Sequence, residues 1–185
     1  MLENRSPIKR VAICASLLFA STVIFASPAS AQWYEGLGIG SAQAKLGNAS
    51  HETSGKFLAG YQFSPNWGIE GQYVSMGTHN ATNSTGGGSY KPVSWGLAAT
   101  GTLPMSTNAY FIAKLGAAFN RVSTSNVGGG NNTDLLVGVG FGYNFDGNWS
   151  IRAEYETFGN ITKSTSIGGD IKGDNRAVIV KYSFK

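Results

Sequence analysis

Between residues 149 and 157 the chain alternates strictly. Trp149, Ile151, Ala153, Tyr155 and Thr157 fall on one face of an extended segment, and Ser150, Arg152, Glu154 and Glu156 fall on the other. One face suits hydrocarbon and the other is charged. The same period of two returns between turn signals along the rest of the chain. It predicts eight strands, over 33–44, 54–63, 67–77, 91–103, 109–122, 132–145, 149–159 and 174–184. Each is long enough for the roughly 9–11 tilted residues that cross a bilayer as a strand. Eight is also an even number, as in bacterial single-chain barrels.

The connections have a rhythm of their own. Three are tight and rich in turn formers: Ser64-Pro65-Asn66, residues 104–108, and Asp146-Gly147-Asn148. Four are longer and polar, over 45–53, 78–90, 123–131 and 160–173, and three of these carry runs of glycine. Strict alternation of long and short is the signature of periplasmic turns and extracellular loops, and it puts both termini on the periplasmic side. The predicted fold is all-β, an eight-stranded antiparallel up-and-down transmembrane β-barrel. Such a barrel crosses lipid without leaving backbone groups unpaired.

Parity assigns the faces. Outward fall Trp33, Leu37, Ile39, Phe57, Trp67, Ile69, Trp95, Leu97, Phe111, Leu115, Phe119, Leu135, Val137, Val139, Val178 and Val180. Trp33, Phe63, Trp67, Phe145, Trp149 and Phe184 gather at the periplasmic strand ends, where an interfacial aromatic girdle belongs. Inward fall Lys56, Gln62, Glu70, Gln72, Thr100, Lys114, Asn120, Asn144, Arg152, Glu154, Glu156 and Lys181. In a water-soluble, lipocalin-like barrel the two faces would exchange roles. The interior of eight strands barely accommodates its own side chains, and so continuous an aromatic face does not fit there. An interior with little water demands that its charges pair, so Glu70 and Glu154 are expected to meet Lys114 and Arg152. Glu70, Lys114, Arg152, Glu154, Glu156 and Lys181 form the predicted lumen charge network.

The N-terminus reads as an export signal over 1–31, followed by a barrel domain over 32–185. Arg5, Lys9 and Arg10 precede an apolar run, and Pro28 and Ala29-Ser30-Ala31 supply a helix breaker and a cleavage site. Cleavage is expected between Ala31 and Gln32. The run is too short for a spanning helix. Cys14 lies inside it rather than after it, which argues against a lipoprotein. Removing the signal lowers Lys+Arg from 14 to 11 and Asp+Glu from 10 to 9, so the net charge falls from +4 to +2. It also removes the only cysteine. Nothing in this balance points to nucleic acid.

Several short motifs, in order, resemble the transmembrane domain of the outer membrane protein A family. They are Trp33-Tyr34, Gly60-Tyr61-Gln62, Gly68-Ile69-Glu70-Gly71-Gln72-Tyr73, Ala113-Lys114-Leu115-Gly116, Arg152-Ala153-Glu154-Tyr155 and Tyr182-Ser183-Phe184. The resemblance implies a charged interior that plugs or gates the lumen, with Glu70, Lys114 and Glu154 as counterparts of the family's residues. It implies outer-membrane lipid, lipopolysaccharide and the barrel-assembly machinery as partners. The family often adds a peptidoglycan-binding domain, and none is expected here because the chain stops at Lys185. The assembly machinery reads a terminal aromatic, here Phe184 followed by Lys185.

Enzymatic chemistry finds little support. Some similar barrels modify lipid A and need a nucleophile and base at the outer rim. The only histidines are His51 and His79, both expected in loops; Ser50 adjoins the first, Ser75 precedes the second, and Glu52 is the one nearby acid. Two separated histidines without cysteine give no metal-ligand spacing. The glycine runs lack the Lys-Ser/Thr of a phosphate loop. Asn-x-Ser/Thr triplets at Asn48, Asn80 and Asn83 would meet no glycosylation machinery in a Gram-negative bacterium. The expectation is a monomeric outer-membrane barrel without cofactor or enzymatic activity. Its lumen is plugged or narrow, and its long loops are available to a host or extracellular ligand. An adhesin and a lipid A-modifying enzyme are the alternatives.

Overall fold

A computed structural model describes residues 32–45, 51–81, 88–124, 130–162 and 171–184. The expected signal over 1–31 and its cleavage residue Ala31 lie outside them, as does Ser50. The strands are β1 (Gln32–Lys45), β2 (His51–Gln62), β3 (Trp67–Ser75), β4 (His79–Ala81), β5 (Gly88–Pro104), β6 (Ala109–Thr124), β7 (Gly130–Asn144), β8 (Trp149–Thr162) and β9 (Ile171–Ser183). Strands adjacent in sequence pair antiparallel, except that β3 and β4 both pair with β5, and β1 pairs with β9. The sheet is therefore closed. Strand β4 continues β3 along the same edge of β5, so nine segments make eight staves.

The three tight turns share one device. Ser64, Ser106 and Asp146 each accept, through a side-chain oxygen, the backbone N–H three residues on: Trp67 at 3.0 Å, Ala109 at 3.0 Å and Trp149 at 2.7 Å. Backbone bonds Phe63 N to Trp67 O, Met105 N to Ala109 O and Phe145 N to Trp149 O close the same turns. Serine and aspartate are favoured in turns because their side chains can satisfy the backbone in this way.

The apolar parity set lies on the outer wall, where Leu115 is 60% exposed and Ile39 76% exposed in the protein chain alone. Lipid covers such a wall in a membrane. At the other end the strands run further than the alternation predicts: β5 begins at Gly88, β7 at Gly130 and β9 at Ile171. The outer face there is polar, with Lys91, Asn131 and Lys172 exposed. Apolar alternation marks only the stretch that meets hydrocarbon, so it stops before the strands do.

Two glycines shift the parity on this long-loop side. Gly77 (φ +79) separates β3 from β4, and Gly159 (φ +60) sits where the β8–β9 register slips. This left-handed backbone suits glycine, and bulges use it to re-aim side chains. Val74 and Met76 face inward, and after the shift so does His79; Phe158 and then Ile161 do likewise on β8. The Asp134 carboxylate holds the second bulge by accepting Asn160 N–H at 2.8 Å.

Candidate functional site: the lumen

Three charges on β8 face three glycines on β7. Arg152 pairs with Gly142, Glu154 with Gly140 and Glu156 with Gly138. A Cβ at Gly138 or Gly140 would lie 2.9 Å from the Cγ of Glu156 or Glu154. The glycine stripe thus makes room for the charged one. From β8 the side chains reach across the barrel. Strand β3 lies four staves away in either direction, so the Arg152–Glu70 bond spans the lumen.

The ions form one connected cluster. The Glu70 carboxylate accepts from Lys114 Nζ, from Arg152 Nη2 at 2.7 Å and from the Tyr34 hydroxyl at 3.0 Å. Lys114 also donates to Glu154 at 2.8 Å and Glu156 at 3.0 Å. Lys56 donates to both of these acids at 2.6 Å. Arg152 Nε lies 2.6 Å from Glu154 Oε1. Three cations face three carboxylates, and every side chain in these pairs is at most 1% exposed. Ions so desolvated persist only when each has partners, which strand geometry supplies here.

The structure brings Glu70, Lys114, Arg152, Glu154 and Glu156 together. It adds Lys56, whose inward parity was the signal for it, and Tyr34. Lys181 stands apart. Its ammonium lies 4.7 Å from the centre of the Tyr34 ring and 5.8 Å from that of Tyr110, and it makes no ion pair among the described residues. Those two rings fill spaces left by Gly60 and Gly142, where a Cβ would come within 2.2 Å and 2.1 Å of ring carbon.

On the long-loop side of the ions the lumen turns apolar. Val74, Met76, Tyr90, Val122, Leu136, Phe158, Ile161 and Ile171 are buried in one cluster, with alanines between them. Parity alone missed this second layer, because it searches for polar residues facing inward. The signal was available in Val74 and Phe158, which share parity with Glu70 and Glu154.

The histidines lie in strands, which corrects the loop expectation: the strands outrun their apolar signal. His79 is buried, its Nε2 is 3.0 Å from Met76 O, and its ring stacks on Tyr90 with centroids 5.2 Å apart. Ser75 lies on the other side of the Gly77 bulge, on the outward face. His51 is exposed, with Nδ1 3.5 Å from Ser41 Oγ across the β1–β2 pair. Glu52 is its immediate neighbour on β2 and projects to the opposite face of the strand. A nucleophile–base–acid relay is therefore not assembled among the described residues.

The profile described as "Outer membrane protein beta-barrel domain" matches residues 12–184. Solved structures share the fold. Ail, the attachment invasion locus protein of Yersinia pestis, in complex with the heparin analogue sucrose octasulfate, is 19% identical (TM-score 0.58), covering 84% of this chain and 99% of Ail. Neisserial surface protein A is 18% identical (TM-score 0.63), covering 84% of this chain and 99% of that one. OprG from Pseudomonas aeruginosa is 15% identical (TM-score 0.57), covering 85% and 97%. No curated protein matches.

Proposed function

Because the chain belongs to the outer membrane protein beta-barrel domain family and resides in the outer membrane, we propose that it is a closed surface barrel. Its working part is the extracellular end. The observation that carries this reading is the pair of barriers in series, an ion cluster spanning the lumen and an apolar layer above it. A small barrel filled by its own side chains gives solutes no path. The remaining interface with the outside is the four loop connections and the strand ends that support them, where binding specificity is carried by variable loops.

The outer wall near the loops supports a second contact. Lys91, Arg121, Lys172 and Arg176 are exposed there, with one acid, Asp174, between the last two. Arg176 also covers the Tyr155 ring at 5.7 Å. A cationic band above an apolar belt fits the phosphates of lipopolysaccharide. The protein is not an enzyme in this reading, and residues 1–31 are a cleaved signal, so the mature chain begins at Gln32.

An adhesive role for the loops is favoured by one likeness, that to Ail bound to a sulfated sugar. Purified protein in planar bilayers should give no steady conductance, and immobilised heparin should retain it through the loops. Steady single-channel currents would overturn the closed-barrel reading, and absence of heparin retention would remove the adhesive one. Unchanged lipid A mass on deletion of the gene is expected if the protein has no lipid A chemistry.

A further inference from the structure

Below the apolar layer, the inward-facing cations on the described strands outnumber the inward-facing acids. Lys56, Lys114 and Arg152 balance Glu70, Glu154 and Glu156, and Lys181 is the fourth positive charge. No carboxylate among the described residues lies within 4 Å of its Nζ, and no acceptor there takes a hydrogen bond from it. Yet Lys181 is only 9% exposed. The two tyrosine rings offset part of this cost through their negative faces and leave the ammonium's three donors unused.

Lys181 faces a cavity of about 280 Å³ that opens between the tight turns at the periplasmic end. Tyr34, Tyr110 and Arg152 wall its inner part, and Asn144 and Asn148 stand nearer the mouth. Arg152 donates from Nη2 to Glu70 and its Nε lies 2.6 Å from Glu154 Oε1, and its guanidinium adds positive charge at the floor. One carboxylate, Asp146, lines the mouth, where its Oδ1 accepts the Asn148 and Trp149 amides of the turn. The cavity therefore carries a positive floor and a polar, hydrogen-bonding rim.

We propose that this vestibule is a binding site for a small oxyanion, a carboxylate or a phosphate, with Lys181 as its principal ligand. An ammonium beside a guanidinium suits oxygen anions, which accept several charge-assisted hydrogen bonds at once. The volume equals that of about nine waters at roughly 30 Å³ each. That space admits inorganic phosphate or a short carboxylate together with some water. The site faces the periplasm, opposite the loop surface, so it is independent of any extracellular partner.

The folded full barrel in detergent micelles can be titrated calorimetrically with inorganic phosphate and, separately, with acetate, at constant ionic strength. Saturable binding at one site is expected. Lys181→Met should weaken it at least tenfold and Lys181→Arg should largely retain it. Since the methionine variant removes an unpaired buried cation, it should fold and melt no lower than the parent in anion-free buffer. Phosphate should raise the melting temperature of the parent and not of Lys181→Met. If that variant does not fold, the ¹⁵N resonance of the Lys181 ammonium in the parent still reports, and it should shift on titration. Which probe binds distinguishes a phosphate from a carboxylate ligand. Absence of saturable binding by both probes overturns the proposal, as does equal binding by Lys181→Met or equal competition by chloride.

Discussion

On the tight-turn side of the lumen, β3 and β8 turn Glu70, Arg152, Glu154 and Glu156 inward. A few residues further along, the same strands turn Val74, Met76, Phe158 and Ile161 inward. Both layers exclude water, by different physics. The ionic layer depends on each charge having its own partner, because an ion left alone in a dry interior is costly. The apolar layer depends on volume and contact and has no partner specificity. The two layers should therefore differ in how they respond to conservative change.

The largest effect is expected at Glu70, which joins Tyr34, Lys114 and Arg152. Glu70→Gln keeps the shape and removes the charge, leaving two buried cations short of an anion. The cost should be about 3–5 kcal/mol, the range for breaking a buried pair from one side. Urea unfolding of the barrel measures it. Adding Lys114→Met should restore part of the loss, and a double-mutant cycle gives the coupling. Additive losses would show that the ions are separately solvated and that the lower layer is not a cluster at all.

The next effect separates the wall from both layers. Leu115 and Val137 sit side by side on β6 and β7 with their side chains outward. Arginine at either position should cost about 2–4 kcal/mol near the bilayer midplane. The loss should be seen in lipid vesicles. Unchanged stability of either variant in bilayers would mean that the faces are inverted and that Glu70 and its partners face the outside.

Most of this architecture was legible in the sequence, for a reason that also explains what was not. Hydrocarbon imposes apolar residues on every second position, so strands, faces and turn rhythm could be read wherever lipid touches the wall. Inward Glu70, Lys114 and Arg152 stood out because charge is rare in such a chain. Beyond the bilayer the outer wall is polar and the period fades, so the strand ends holding His51, His79 and Ile171 read as loop. The bulges at Gly77 and Gly159 then reversed the parity, which no strict alternation can follow. Pairing was legible only in part. Lys181 shared the inward parity of the network, but register places it beside Gly36 and Ser150, away from the acids.

A smaller effect sharpens the contrast between the layers. Leu136 is fully buried in the apolar cluster. Leu136→Met conserves volume and polarity, and methionine adapts to irregular gaps, so the loss should stay below about 1.5 kcal/mol. This is the counterpart of Glu70→Gln, which conserves volume and changes charge. The same urea titration compares them directly. Equal losses at the two sites would mean that the upper layer is packed as specifically as the lower one is paired.

The smallest effect is expected from a cut that leaves every described residue of both layers in place. Replacing residues 82–87 and 163–170 by short turns leaves in place the side chains that close the upper lumen. Ile161 and Ile171 stay buried, and the Asn160 carbonyl still accepts from the amide of Asn120 at 3.3 Å and from that of Asn132. Met76 N–H still donates to Pro92 O at 3.0 Å. The trimmed barrel should therefore unfold within about 0.5 kcal/mol of the parent. A cut widened to 78–90 and 160–173 would remove Tyr90, Ile161 and Ile171 from the apolar layer, with the His79 ring stacked on Tyr90, and it should cost several times more. Comparing the two cuts by urea unfolding locates the upper edge of the closed lumen. Equal losses would place that edge in the connections themselves, and the apolar layer would then depend on them rather than on the strand ends.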